Sequence, residues 1–457
     1  MPSSSHVLVI GAGLAGSLLA TQLAREGFRV SLYERRSDPR AKGHIGGRSI
    51  NLAISVRGIE ALRSIGLDGA VLEQAIRMPG RMIHPVHGDL VFQPYSADPS
   101  RGINSVSRGG LNLLLLEAAA AEPNVTLVFD RPCIDVKSDG TAAVFRDPAS
   151  GTEVTVAADL VIATDGAYSA VRQSMQRTER FDYSQSYLGH GYKELTIPPH
   201  ADGTHRLDPH ALHIWPRGGH MMIALPNVDG SFTCTCFMPY EGPDGFAALR
   251  TRELVAAYFA RVFPDAAALM PDLLDEWERN PVGAMVTVRC FPWHRDSVAL
   301  LGDAAHAIVP FYGQGANCAF EDTLAMINCL KRHAPDWPAA FAAYESIRKP
   351  NADAIADLAV ANFIEMRDRT ASRLFRAKKR LERVLSRVLP GAFLPLYDMV
   401  SFSTIPYAEA RARARRQWWA VGSAAAVIGV AALLGLVAIA SMSVPTPAAN
   451  STPGGAE

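Results

Sequence analysis

Short, wholly apolar runs alternate along this chain with glycine turns and amphipathic stretches, and that alternation predicts its elements. His6 to Ile10 is an apolar run entered at once by Gly11-Ala12-Gly13-Leu14-Ala15-Gly16; helical periodicity then continues through Arg25 until Gly27 stops it. Phe28 to Tyr33 reads as a second strand, ending at Glu34. Runs too short for a helix and flanked by glycine read as buried strands, so the segment predicts a βαβ unit. Two later segments repeat the strand end. Leu160 to Ala163 passes into Thr164-Asp165-Gly166, and Val298 to Leu301 passes into Gly302-Asp303 ahead of Ala304-Ala305-His306. Gly313-Gln314-Gly315-Ala316-Asn317 then opens a helix predicted to run through Leu330.

Between these elements the period changes. His213 to Trp215, Met221 to Leu225 and Phe232 to Phe237 read as strands joined by hairpin turns at Pro216 to Gly219 and Asn227 to Gly230. They predict an antiparallel sheet inserted into an α/β fold. After Lys349-Pro350 the chain turns helical and increasingly basic, through Arg367, Arg373, Lys378, Lys379, Arg380 and Arg387. That set is either a solvated helix face or a surface attracted to anionic lipid.

From Trp418 to about Val444 no residue is charged. About 24 residues of helix span roughly 36 Å, enough for a bilayer core of about 30 Å. Arg411, Arg413, Arg415 and Arg416 crowd one flank, and Trp418 and Trp419 stand where an interfacial belt belongs. The expectation is a C-terminal transmembrane helix, with the basic side and the catalytic domain facing the cytoplasm.

At 457 residues the chain is long enough for two or three subdomains. The 45 Lys and Arg balance 45 Asp and Glu, leaving no basic surplus for nucleic acid. Six cysteines (Cys133, Cys234, Cys236, Cys290, Cys318 and Cys329) show no metal-ligand spacing and read as reduced core residues. His84 and His87 have a metal-like separation but no partners in the pattern, and no metal is expected.

The chemistry lies in the glycine turn. Gly11 permits the tight turn, Gly13 lets backbone approach a pyrophosphate, and Gly16 allows close helix packing, while the helix N-terminus attracts the anion. Glu34, about twenty residues beyond, is placed to accept from a ribose hydroxyl. Asp165 and Asp303 end strands that point into the same crevice. A carboxylate does not suit a pyrophosphate, so Asp303 is expected to accept from polyol hydroxyls, which the ribityl chain of FAD offers and NAD lacks. Backbone N–H groups of Gly313, Gln314, Gly315 and Asn317 are expected against the edge of the flavin ring.

With these residues in order, GxGxxG, Asp165-Gly166 and Gly302-Asp303, the chain resembles the single-component flavoprotein aromatic hydroxylases. Four longer strings are similar to the kynurenine 3-monooxygenases among them: Gly47-Arg48-Ser49-Ile50-Asn51-Leu52-Ala53, Gly80-Arg81-Met82-Ile83-His84, Leu212-His213-Ile214-Trp215-Pro216-Arg217 and Pro310-Phe311-Tyr312-Gly313-Gln314-Gly315. The resemblance runs from about residue 6 to Tyr407. It implies NADPH- and O2-dependent hydroxylation of L-kynurenine at ring carbon 3, through a C4a-hydroperoxide on FAD, in tryptophan catabolism. No catalytic side chain is implied, because the chemistry is centred on the flavin.

The resemblance further implies Arg81 and Tyr95 for the substrate carboxylate, Asn362 and Tyr397 completing the polar end, and Phe237, Pro310 and Phe311 lining the aromatic end. It also implies contact between Arg108 and FAD. Pro79 departs from the proline-free, more basic approach to Arg81 that the resemblance implies. The expected organisation is an FAD-binding domain over 1–80, 104–178 and 282–350, a substrate domain over 81–103 and 179–281, a helical region over 351–416, an anchor over 417–444 and a polar tail over 445–457. Two other readings use the same fingerprint: a membrane-anchored FAD-dependent lipid reductase or epoxidase, and a non-catalytic flavin-binding protein.

Overall fold

In the computed structural model residues 5–41, 51–137, 139–369 and 373–442 are described. Gly47 to Ile50 of the first quoted string and the 445–457 tail lie outside them. The three central apolar runs become strands that bury both faces. Val298–Leu300, Leu160–Ala163, His6–Ile10, Arg29–Tyr33 and Val125–Val128 form a parallel sheet in that spatial order, with His294–Arg295 added antiparallel at one edge. Val7, Leu8, Val9 and all of Leu160–Ala163 have no exposed surface, as central parallel strands covered on two sides require. The Leu14–Arg25 helix buries Leu18, Leu19, Ala20 and Leu23 completely. Because the three central strands run the same way, the glycine turn, Asp165 and Asp303 all leave the sheet at one carboxyl edge, where such folds bind ligands.

A second sheet has seven strands, ordered Gly283–Phe291, Asp182–Ile197, Phe232–Pro239, Met221–Pro226, Ala211–Pro216, Gly80–Ile83 and Val91–Pro94. Its pairings are antiparallel except where Gly80–Ile83 runs parallel to Ala211–Pro216, placing Arg81 opposite Leu212. The sheet is therefore mixed, and it extends to Phe291, past the boundary expected at 281. Alternation sends Trp215, Met222, Cys234 and Cys236 into a core under the helices Arg252–Val262 and Leu273–Arg279. All six cysteines are free thiols.

His84 is held inside this sheet. Its Nδ1 lies 2.8 Å from Asp265, its Nε2 lies 2.8 Å from His213 Nδ1, and its ring stacks on Trp215 at 4.0 Å. Both ring nitrogens are thus occupied, while His87 is exposed. Burial drives His213 down from 6.5 to about 4. The unfolded chain therefore binds a proton that the native state refuses between those values, so stability falls as pH drops through that window. From pH 7 to pH 5 this group is expected to remove about 2 kcal/mol. Denaturation midpoints across that range would show the slope, and His213→Gln should flatten it whatever its starting stability.

The helices Gly315–His333 and Trp337–Ile364 pack against each other and carry the chain away from the first sheet. Pro350, at the expected domain boundary, lies inside the second of these helices. A mid-helix proline costs about 3 kcal/mol. Burial of Phe341, Tyr344, Ile355 and Ala359 on the same helix, each at 0% exposure, offsets that cost. Beyond it come Arg373–Val388, Leu396–Ser401 and Tyr407–Met442. Tyr407–Leu436 is long and apolar enough to cross a membrane, and its apolar window is wholly unburied. The helix begins ten residues before the run expected from 417, because Tyr407, Ala410 and Ala414 pack its first turns into the protein.

Candidate functional site

The crevice at the carboxyl edge of the parallel sheet is shaped by close backbone approach. Gly11 has φ +105°, and a Cβ there would meet Thr164 O at 2.6 Å; a Cβ at Gly16 would meet Gly11 O at 1.9 Å. Thr164 fixes the turn by donating from Oγ1 to Ile10 O and Gly11 O at 3.0 and 2.8 Å. Gly13, by contrast, faces open space. The Leu14–Arg25 helix has no side-chain cap, which leaves its first N–H groups available to an anion.

Glu34 accepts from Ala12 N at 2.9 Å and from Arg36 N and Nε at 3.0 and 2.8 Å. Burial opposes its charge, but Arg36 and these N–H groups outweigh it and hold the carboxyl below its ordinary range. Asp165 caps the Ala170–Met175 helix through Ala170 N at 2.8 Å, while its other oxygen is buried without a partner. Asp303 opens into the crevice, yet the crowding around it pushes its carboxyl up, an effect that Arg108 partly offsets. Arg108 itself is exposed at the start of the Arg108–Ala121 helix. The open face at Gly13, the orphan oxygen of Asp165 and the Asp303–Arg108 pair fit FAD at this edge.

The loop after Asp303 differs in detail from expectation. Gly313 adopts the left-handed conformation at φ +65°, but the side chains of Gln314 and Asn317 point into the protein. Gln314 Oε1 accepts from Tyr407 at 3.0 Å. Asn317 accepts from Ser55 N at 2.9 Å and donates to Ala53 O and Gly313 O, both at 2.8 Å. These two side chains hold the loop, which leaves backbone at Gly313 and Gly315 as the surface that can meet a ring.

A buried network supports the same wall. Asp322 has no exposed surface; it accepts from Gly302 N at 3.3 Å and pairs with His306 Nε2 and Arg348 Nε, each at 2.6 Å. Burial opposes its charge, and His306 and Arg348 together hold it below the ordinary carboxylate range. His306, Cys318 and Asp322 lie close enough to suggest a metal. The Arg348 guanidinium already occupies that space, 3.3 Å from Cys318 Sγ, and supplies the positive charge.

Arg81, on the second sheet, belongs to a cluster with one polar and one aromatic end. Tyr95 and Tyr397 stack at 5.1 Å and 11°, and Arg81 Cζ sits 5.2 and 5.3 Å from their ring centres. Burial pushes the phenols of Tyr95 and Tyr397 up, so both are O–H donors at neutral pH. Arg81 Nε is buried without a hydrogen-bond partner, and among the described residues Arg81 has no carboxylate at ion-pair distance. Pro79, the departure noted above, accepts from Tyr95 N at 3.0 Å and so ties that tyrosine beside the arginine strand.

At the aromatic end Phe237 lies 4.8 Å from Phe311, which stacks on Phe363 at 4.2 Å. Asn362 donates to Phe311 O at 2.6 Å. It therefore holds the 310–312 turn, and its amide nitrogen is not free for a ligand. Pro310 is exposed at the start of that turn. Tyr312 joins the two ends by stacking on Tyr397 at 5.6 Å.

Sequence reasoning missed Tyr312, Phe363, Thr164, Arg57 and the Asp322 network. Tyr312, Thr164 and His306 stood inside quoted strings, but nothing local marks Phe363, Arg57 or Asp322. Arg57, 1% exposed, donates to Val400 O at 2.8 Å and stacks 4.0 Å over Tyr407. A separate cavity of about 590 Å³ opens between Leu111 and Leu114 on one side and Thr196 and Glu276 on the other. Glu276 there accepts from Thr196 N and Oγ1 at 2.6 and 2.7 Å.

Residues 4–359 match the FAD binding domain family. Kynurenine 3-monooxygenase of Myxococcus xanthus is 50% identical over 402 residues, covering 88% of this chain and 86% of that one. Its counterpart in Dictyostelium discoideum is 46% identical over 418 residues, covering 89% and 90%. Among solved structures, 2-methyl-3-hydroxypyridine-5-carboxylic acid oxygenase is similar with a TM-score of 0.67 at 19% identity, over 80% of this chain and 94% of that one. Tetracycline destructase Tet(51) scores 0.60 at 20% identity, over 89% and 100%. At those identities the structures attest the fold; the sequence relatives, matched along nearly their whole length, carry the affiliation further. The chain belongs to the kynurenine 3-monooxygenase family of FAD-dependent monooxygenases.

Proposed function

We propose that the protein hydroxylates L-kynurenine to 3-hydroxykynurenine, with FAD as cofactor and NADPH and O2 as cosubstrates. The observation that carries this reading is Arg81, a charge set against two stacked phenols and, among the described residues, with no carboxylate at ion-pair distance. A carboxylate matches a guanidinium bidentately, and phenol O–H groups add donors. In this reading Arg81, Tyr95 and Tyr397 bind the amino-acid end of the substrate, and Asn362 acts through Phe311. Phe237, Phe311 and Pro310 orient the aniline ring and exclude water. A neutral isoprenoid offers nothing to such a cation, which disfavours a reductase or epoxidase acting on one.

The crevice residues Gly11, Gly13, Gly16, Glu34, Arg108, Asp165 and Asp303, with the Gly313–Asn317 loop backbone, would hold FAD. When bound, FAD supplies electron transfer and oxygen activation. The protein's own contribution is position and dryness: the substrate ring is packed against Phe237 and Phe311 and fixed at its far end by charge. The seven-stranded sheet serves as the substrate domain over the flavin. The C-terminal helix is the membrane anchor, with Arg411, Arg413, Arg415 and Arg416 on the cytoplasmic side.

Incubating detergent-solubilised, FAD-loaded protein with NADPH and air, with and without L-kynurenine, tests the reading. The expected result is 3-hydroxykynurenine, identified by mass and NMR, in amounts matching the NADPH consumed. NADPH oxidation that kynurenine leaves unchanged, with flavin bound, would overturn it.

A further inference from the structure

We propose that the Arg373–Val388 helix lies on the bilayer and takes an anionic phospholipid surface as its partner. The catalytic body would then be held down onto the membrane as well as tethered to it. The inference rests on the membrane-anchor reading of the Tyr407–Met442 helix.

Leu381, Val384 and Val388 stand 43%, 55% and 69% exposed. Their spacing of three and four residues puts them on one stripe of the helix. The other side, with Glu382, Leu385 and Ser386, is partly buried against the protein. Arg380 and Arg387 flank the stripe on one side and Lys378 on the other, all exposed. An apolar stripe bordered by basic side chains is the pattern of a helix that beds into the boundary between headgroups and acyl chains. Over 377–389 the charges are Lys378, Lys379, Arg380, Arg383 and Arg387 against Glu382 alone, which selects an anionic surface.

The position of the stripe names its occupant. Lys378 Nζ lies 4.9 Å over the Trp418 ring, and Phe393 meets the same ring edge-on at 5.9 Å. Arg413 donates to Gly391 O at 2.7 Å and Gln417 to Ala392 O at 3.0 Å. These contacts fix the basic helix where the C-terminal helix passes from Arg411–Arg416 to its apolar run. Any bilayer that takes in the residues after Trp418 brings its headgroups to this level. Trp419, 78% exposed, marks the same height.

Amide hydrogen exchange on the full chain decides the matter, comparing detergent, phosphatidylcholine nanodiscs and nanodiscs containing phosphatidylserine. The expected result is protection of 418–442 in both discs and slowing of 377–389 by on the order of tenfold in the anionic discs alone. Arg380→Glu with Arg387→Glu should abolish the slowing, and so should Leu381→Asp with Val384→Asp. All four positions are exposed, and retained FAD would confirm folding. Protection of 418–442 with 377–389 exchanging alike in all three media overturns the inference and leaves the anchor standing. If 418–442 is itself unprotected in discs, the anchor reading fails and takes this inference with it. Slowing that rises with protein concentration in detergent would give the stripe to a second copy and also overturn the proposal.

Discussion

Replacing Arg81 with methionine is expected to weaken L-kynurenine binding on the order of tenfold to a hundredfold while FAD content stays unchanged. A charge-assisted hydrogen bond is worth about 1.5 to 3 kcal/mol. Methionine keeps much of the length of the side chain and its packing against Tyr95 and Tyr397 while removing the charge. Titrating kynurenine against flavin absorbance or fluorescence reads affinity, and the absorbance ratio of flavin to protein reads occupancy. The separation is physical: Arg81 stands on a strand of the second sheet, whereas the glycine turn and Asp303 belong to the first. Unchanged affinity would remove Arg81 from the substrate site, and loss of flavin would make it a structural residue. Arg81→Lys should recover little, because a point charge does not reproduce the fork.

The second large effect is expected at Asp322. Asp322→Ala removes the closer of the two carboxylates that Arg348 meets, leaving Glu321 at 3.3 Å, and removing one member of a buried pair costs up to about 3 to 5 kcal/mol. Gly302 N and His306 lose their acceptor in the same step, so flavin should dissociate more readily as well. Arg348→Met together with Asp322→Leu should recover much of the stability, since apolar residues of similar volume often replace a buried pair at little cost. Thermal midpoints of the single and double variants measure both. A single variant as stable as the native protein would mean that the pair contributes nothing.

Central parallel strands were legible in the sequence because burial on both faces leaves an unbroken apolar run, and their glycine-aspartate ends are marked by backbone that only glycine permits. The candidate flavin crevice was readable for that local reason. The proposed substrate site was not: Arg81, Tyr95, Asn362 and Tyr397 entered through resemblance, and no spacing predicts that Tyr95 stacks on Tyr397. Gln314 and Asn317 were legible as a loop but not as its fasteners, because Tyr407, Ser55 and Ala53 reach them only after folding. Pro350 reads locally as a helix break, and the packing of Tyr344 and Ile355 overrides it.

The strand order of the first sheet also governs synthesis. Leu160–Ala163 receives its outer neighbour, Val298–Leu300, only after the whole second sheet has been translated. Until then a nascent chain carries an uncovered, wholly apolar strand with open backbone groups, the kind of edge that pairs with other chains. In the proposed reading flavin capture would wait on the same event, because Gly302 and Asp303 follow directly on the missing strand. A ribosome that pauses within the second sheet would therefore present an aggregation-prone, flavin-free intermediate. Yield in recombinant expression should depend on translation speed across that stretch more than on the stability of the finished protein.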